Sequence, residues 1–207
     1  MKGVTVIPHP LVRHNLTRLR DRRTNNQEFR RLLGEVASLM VYEATRSFEL
    51  SNVSVRTPLE RTTGQRLKRD VVLIPVLRAG LGMLEPLLTL IPNARVGFIG
   101  LKREETTLQA HFYHQSLPAN LRDCEIILID PMLATGGSAL AALELIQRHG
   151  GRRLRLVSLV AAPEGVRAVR RIHPKLPIFT ASVDRELNQR GYILPGLGDV
   201  GDRLFGV

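Results

Sequence analysis

Tryptophan is missing from the 207 residues, aromatic side chains reach only 4%, and there is a single cysteine, Cys124. A lone cysteine excludes an internal disulfide and any Cys-rich zinc site, and points to a reducing, cytoplasmic compartment. Acidic residues are short as well. With 19 Asp and Glu against 30 Lys and Arg, the net charge is +11, which raises a polyanion or a strongly anionic substrate as partner without choosing between them. Lysine supplies just four of those cations, Lys2, Lys68, Lys102 and Lys175, and the arginine that replaces it is the better fork for phosphate oxygens. Long apolar runs are lacking too. Met1 to Pro10 carries Lys2, Pro8 and Pro10 where a secretion signal needs an apolar stretch. The most membrane-like window, Ile126 to Ile146, holds Asp130, Pro131, Gly136, Gly137 and Glu144, which a spanning helix would not accept cheaply. The expectation is one globular domain over residues 1–207, without membrane association.

What is present is a repeating apolar pattern. Five short runs rich in Val and Ile predict buried strands at Val71 to Val76, Arg95 to Leu101, Glu125 to Asp130, Leu154 to Val160 and Ile178 to Val183. Their spacing leaves room for a crossover between each pair, so the expected fold class is α/β, a central and mainly parallel sheet flanked by helices. Helices are predicted at Gly80 to Leu90, Gly136 to His149 and Glu164 to His173, the last opened by Pro163 and stopped by Pro174. Upstream, Phe29, Leu32, Leu33, Val36, Leu39 and Met40 mark the apolar face of a long helix from about Asn26 to Ser47, part of a helical arm over about residues 1–50. Residues 102–122 have weak periodicity and predict a flap or hairpin between two strands. His111 and His114 within it lack a third ligand partner and predict no metal site.

The segment Ile126 to Ser138, IILIDPMLATGGS, carries the most chemistry. It is an apolar strand ending in Asp130 that turns through Ala134, Thr135, Gly136 and Gly137 into a helix. Open α/β sheets bind ligands beyond the carboxyl ends of their strands, and the first helical turn offers unpaired N–H groups and a partial positive charge. Glycines admit an anion close to the backbone, so the turn reads as a phosphate cradle, with Asp130 placed to accept hydrogen bonds from sugar hydroxyls. No GxxxxGK[ST] motif occurs. Gly196, Gly198 and Gly201 do match GxGxxG, but only six residues follow, too few for a dinucleotide fold. Gly191 to Gly206 is therefore expected to be a glycine-rich loop, carrying Asp199 and Asp202, that offers backbone groups to a small planar ligand.

Four ordered segments together resemble the uracil phosphoribosyltransferases. They are HPLVRHNLTRLRD at His9 to Asp21, PVLRAGLGM at Pro75 to Met83, DPMLATGGS at Asp130 to Ser138 and YILPGLGDVGDRLFG at Tyr192 to Gly206. The likeness spans nearly the whole chain and implies a type I phosphoribosyltransferase fold, with a flap at about 102–122 and a base-binding loop at about 191–206. It implies that Arg78 and Arg103 bind the diphosphate of phosphoribosyl diphosphate. Asp130 would hold the ribose hydroxyls, and Pro131, Met132, Leu133, Ala134, Thr135, Gly136, Gly137 and Ser138 would surround the 5-phosphate. Uracil would lie against Ile193, Gly198, Asp199 and Val200, with Asp199 also close to the donor. Arg78, Arg103, Asp130 and Asp199 are the catalytic candidates. The implied cofactor is Mg²⁺ carried mainly by the diphosphate, with no dedicated protein ligands. A homo-oligomer, dimer or tetramer, is implied, and GTP is raised as an effector.

The chain departs from the family pattern at Val200, at its Phe205-Gly206-Val207 end, and at Gln109, Ala110 and His111. The reading from sequence is an enzyme of pyrimidine salvage that makes UMP and diphosphate. A different class, an RNA-binding regulator on the same fold, is motivated by the +11 charge but would need the basic residues gathered on one face, and they are scattered.

Overall fold

The computed structural model describes residues 3–103 and 110–207. In chain order the elements are β1 (Val4–Val6), α1 (Pro10–Arg20), α2 (Asn26–Thr45), β2 (Leu50–Arg56), β3 (Arg61–Leu67), β4 (Val71–Leu77), α3 (Leu81–Leu90), β5 (Arg95–Val96), β6 (Phe98–Arg103), β7 (Ala110–Ser116), β8 (Glu125–Ile129), β9 (Met132–Leu133), α4 (Gly137–Arg148), β10 (Arg153–Ala161), α5 (Pro163–Ile172), β11 (Ile178–Val183), β12 (Glu186–Leu187), β13 (Ile193–Leu194) and α6 (Val200–Phe205).

Alternation along the central strands decides the layering. Val71, Leu73, Ile127, Ile129, Val157 and Leu159 turn to one face, where they meet Leu16 and Leu19 of α1, Phe29, Leu32, Val36 and Met40 of α2, Leu87 of α3 and Leu204 of α6. Val72, Ile74, Ile126, Leu128 and Leu156 turn to the other, against Ala142, Leu143 and Ile146 of α4 and Val166 and Val169 of α5. Strands covered on both faces read as continuous apolar runs, which is what β4, β8 and β10 are. The main sheet runs β1-β11-β10-β8-β4-β6-β7, with β5 also on β4 and β9 on β10; all neighbours are parallel except β6 and β7.

The expected α/β class and mainly parallel sheet are present, and two expectations, the strand at Arg95 to Leu101 and the C-terminal loop, need correction. The run Arg95 to Leu101 is two strands, because at Gly97 the pairing with β4 is interrupted where Pro75 has no N–H to offer the ladder. The hairpin alternative for residues 102–122 is met in part, since β6 and β7 form an antiparallel pair, while residues 104–109 lie outside the described residues. The C-terminal glycine-rich stretch is not all loop, since it contains β13, paired with β12, and the short helix α6. Strands β1, β2 and β3 are among the elements that were not expected. β1 adds a three-residue edge to β11, and β2 and β3 form a separate antiparallel ribbon that is exposed on both faces.

Candidate active site

β4 and β8 lie side by side and point the same way, with Pro75 level with Ile129, so Arg78 and Asp130 leave the same edge of the sheet. Here the crossovers part. From β4 the chain moves outward through α3 to β5 and β6, whereas from β8 it moves the other way through α4 to β10. That divergence opens a crevice at the strands' carboxyl ends. Gly80 closes its floor: a Cβ there would lie 2.6 Å from the Val76 carbonyl and 2.9 Å from that of Ile129, so only glycine lets the turn carrying Arg78 sit against both strand ends. The Leu77–Arg78 peptide is cis. Arg78 is exposed, and its guanidinium lies 6.0 Å from the centre of the Phe205 ring.

Asp130 is half-buried, and desolvation pushes its carboxyl from 3.8 up to about 7 although the Met132 N–H donates to it. Beyond it, β9 pairs with the end of β10, Met132 level with Val160 and Leu133 with Ala161. Gly136 then turns at φ +86 into α4, and as N-cap it has no side chain to accept from the first N–H groups. Gly137 is exposed at that helix start, its N–H 3.5 Å from Thr135 Oγ1. An uncapped helix N-terminus facing open space attracts an anion.

On the other side of the crevice stands the C-terminal segment. Ile193 is buried, the Leu194–Pro195 peptide is cis, and Gly196 and Gly198 adopt φ of +58 and +81. Asp199 is exposed and caps α6, its Oδ1 accepting from the Asp202 N–H at 3.0 Å. Val200, expected beside a base pocket, packs in the apolar core at 1% exposure. A Cβ on Gly198 would meet no atom nearer than Arg203 Cδ at 3.7 Å, so the space above it is open.

A family model described as uracil phosphoribosyltransferase matches residues 6–207. The uracil phosphoribosyltransferase of Symbiobacterium thermophilum is 52% identical over 207 residues, covering 100% of this chain and 99% of that protein. The chain belongs to the uracil phosphoribosyltransferase family. Among solved structures, the AQ2163 protein from Aquifex aeolicus superposes with a TM-score of 0.95 at 40% identity, over 99% of this chain and 98% of that one. A purine phosphoribosyltransferase from Pyrococcus horikoshii, at TM-score 0.52 and 16% identity over 74% of this chain and 83% of that one, shares the fold alone, which is that of the type I phosphoribosyltransferases.

Within this member of the uracil phosphoribosyltransferase family, the crevice brings together Arg78, Asp130, the Ala134–Ser138 turn and, by way of Phe205, the C-terminal segment. The side chain of Arg103 lies outside the described residues. Sequence reasoning missed the residues that hold these parts in place. Gly165, at the start of α5, packs so closely on the phosphate turn that a Cβ would lie 2.3 Å from the Ala134 carbonyl. Asp184 directly follows β11 and is buried. Burial alone would raise its pKa, yet hydrogen bonds from Arg20, Ser182 and the Gly196 N–H outweigh that and hold it below the usual value. Arg203 lies 4.3 Å from the Phe29 ring centre and donates to the Leu197 carbonyl at 3.0 Å and to the Asp21 carbonyl at 2.8 Å. Arg20 and Arg203 sat in recognised motifs, but nothing in a string of arginines distinguishes a solvated one from a buried tie.

Proposed function

We infer that this protein transfers the phosphoribosyl group of 5-phospho-α-D-ribose 1-diphosphate to N1 of uracil, giving UMP and diphosphate. The observation that carries the reading is the meeting of Arg78, Asp130 and the uncapped start of α4 at the β4–β8 crevice, in a chain of the uracil phosphoribosyltransferase family. In the transfer, the bond from the anomeric carbon to the diphosphate oxygen breaks as the bond to N1 forms, and the N1 proton is given up to the departing diphosphate or to water. Positive charge develops on the ribose and negative charge on the departing diphosphate. Arg78, with Arg103, is assigned to the diphosphate, where a fixed cation stabilises the transition state more than the ground state. Asp130 is assigned to the ribose diol, and Pro131 to Ser138 to the 5-phosphate. Backbone groups of Ile193 and Gly198 to Val200 are assigned to uracil, an N–H to O4 and a carbonyl to N3–H. Cytosine reverses both and would leave buried groups unpaired.

The donor set suits Mg²⁺ that arrives with the donor. Asp130 is a lone carboxylate, Asp199 has an oxygen committed to its helix cap, and among the described residues no three His, Cys, Asp or Glu side chains converge. Such an ion would help neutralise the leaving diphosphate. Self-association as a dimer or tetramer is also inferred. A two-stranded ribbon is marginal alone, and β2–β3 leaves Leu50, Val55, Leu59 and Leu67 exposed; light scattering on the intact protein tests it. No helix among the described residues is long and apolar enough to cross a membrane, and the lone cysteine supports a cytoplasmic setting. GTP as an effector is tested by its addition to the assay. The test of the reaction itself is purified protein with uracil, phosphoribosyl diphosphate and Mg²⁺, followed by chromatography for UMP; product from hypoxanthine or orotate but not from uracil would overturn it. The RNA-binding reading gains no support from the family.

A further inference from the structure

A loop that recognises a base through its backbone must have its peptide planes fixed, and glycines supply no stiffness of their own. Gly196 lies between Ile193 and Gly198. Its N–H donates to Asp184 Oδ2 at 2.9 Å, and its carbonyl accepts from Arg20 Nη1 at 2.7 Å, so one ion pair grips both polar groups of one residue. The pair is bidentate, Nη1 to Oδ2 at 2.7 Å and Nη2 to Oδ1 at 2.6 Å. Asp184 is fixed in turn: Ser182 Oγ donates to its Oδ1 at 2.7 Å, and its own N–H donates to the Ala161 carbonyl at the end of β10 at 2.8 Å. The side chain of Asp184 is 2% exposed and that of Arg20 23%. A Cβ on Gly196 would lie 2.1 Å from the Ile193 carbonyl, so the turn has no slack.

Attaching the C-terminal segment to α1 does not require this pair. Arg203 already ties that segment to the carbonyls of Leu19 and Asp21. What Arg20 and Asp184 add is the orientation of the Gly196 peptide groups. We propose that the half-buried Arg20–Asp184 pair is a positioning device for base recognition, governing uracil affinity and the choice of uracil over cytosine while leaving donor binding untouched. The inference rests on the functional reading above, because it takes the Ile193–Val200 backbone as the base site.

Asp184→Asn keeps the volume but turns an amide donor toward donors. The expected result is a KM for uracil raised about tenfold or more, with that for phosphoribosyl diphosphate within about twofold and a narrower preference over cytosine. Ser182→Ala, which removes one supporting hydrogen bond, shifts the same parameter in the same direction by less, and Arg20→Lys recovers part of the affinity lost in Arg20→Ala. Should Asp184→Asn fail to fold, Ser182→Ala and Arg20→Lys carry the test, with calorimetric binding of uracil and of donor as a readout besides turnover. Both KM values rising together with a falling Tm, or an unchanged uracil KM in folded variants, would overturn the proposal. If the parent protein makes no UMP, the functional reading fails; if it makes UMP and the split is missing, only the positioning role fails.

Discussion

Desolvation lifts the Asp130 carboxyl from 3.8 to about 7, against a smaller opposing pull from the Met132 N–H, and this couples folding to pH. Between those two values the folded protein keeps a proton that the unfolded chain gives up. The contribution of this carboxyl to stability is therefore full below 3.8, falls as pH rises through the window, and is lost above about 7. Asp130→Asn removes that cost, so its Tm should exceed the parent's at pH 8 and match it near pH 3.5, read by thermal unfolding across pH. The same change deletes the charged acceptor assigned to the ribose diol, and turnover should fall about 10- to 100-fold. A variant that is less stable at pH 8 would show the carboxylate to be a structural acceptor instead. Arg78 carries a simpler expectation. It is exposed at the crevice, so Arg78→Ala should fold normally and lose about 2 to 4 kcal/mol of transition-state stabilisation in kcat/KM. Full activity at saturating donor would remove its assignment.

At the scale of elements, the donor side depends on how α5 meets the turn before α4. Gly165 brings its backbone against the Leu133 and Ala134 carbonyls, at 2.7 and 2.3 Å from where a Cβ would stand, and these are main-chain atoms that cannot swing aside. Gly165→Ala must push back either α5 or the phosphate turn. The expected outcome is a KM for phosphoribosyl diphosphate raised about tenfold and a stability loss of about 1 to 3 kcal/mol, with uracil affinity little changed. Unchanged donor kinetics would show that the turn relaxes freely. The sequence made the strand–turn–helix at Asp130 to Ser138 legible, because an apolar run, an acid and two glycines each have a local physical meaning. It could not disclose Gly165 or Asp184, whose roles come from contacts between segments far apart in the chain. The β2–β3 ribbon escaped for the opposite reason: exposed on both faces, it leaves no buried stripe to read. α6 escaped because six residues are too few to show a helical period.

For the whole molecule the excess of arginine is the feature that sequence alone left ambiguous, and the structure shows where much of it goes. Arg18, Arg31 and Arg46 face Glu28, Glu35 and Glu43 along the helical arm. Arg69 and Arg155 meet Glu125 at the start of β8, the end of the sheet away from the crevice, and Arg155 lies 4.2 Å from the centre of the Phe48 ring. Arg20, Arg95 and Arg203 donate to main-chain carbonyls. Guanidinium groups engaged in this way, on the surface at Arg18, Arg31 and Arg46 and inside at Arg155, already have partners in the fold, and a polyanion gains affinity only by releasing counterions at several contacts together. The expectation is that anisotropy of a labelled single-stranded RNA shows no saturable binding at micromolar protein in 200 mM salt, and any weak association at 50 mM has a salt slope near zero. A protein neutralising six to ten phosphates of a single strand would instead lose about 10²- to 10⁴-fold in affinity over that interval. Such a steep slope would mean that the uncommitted cations do form a continuous track, and would restore nucleic-acid binding as a second activity of this fold.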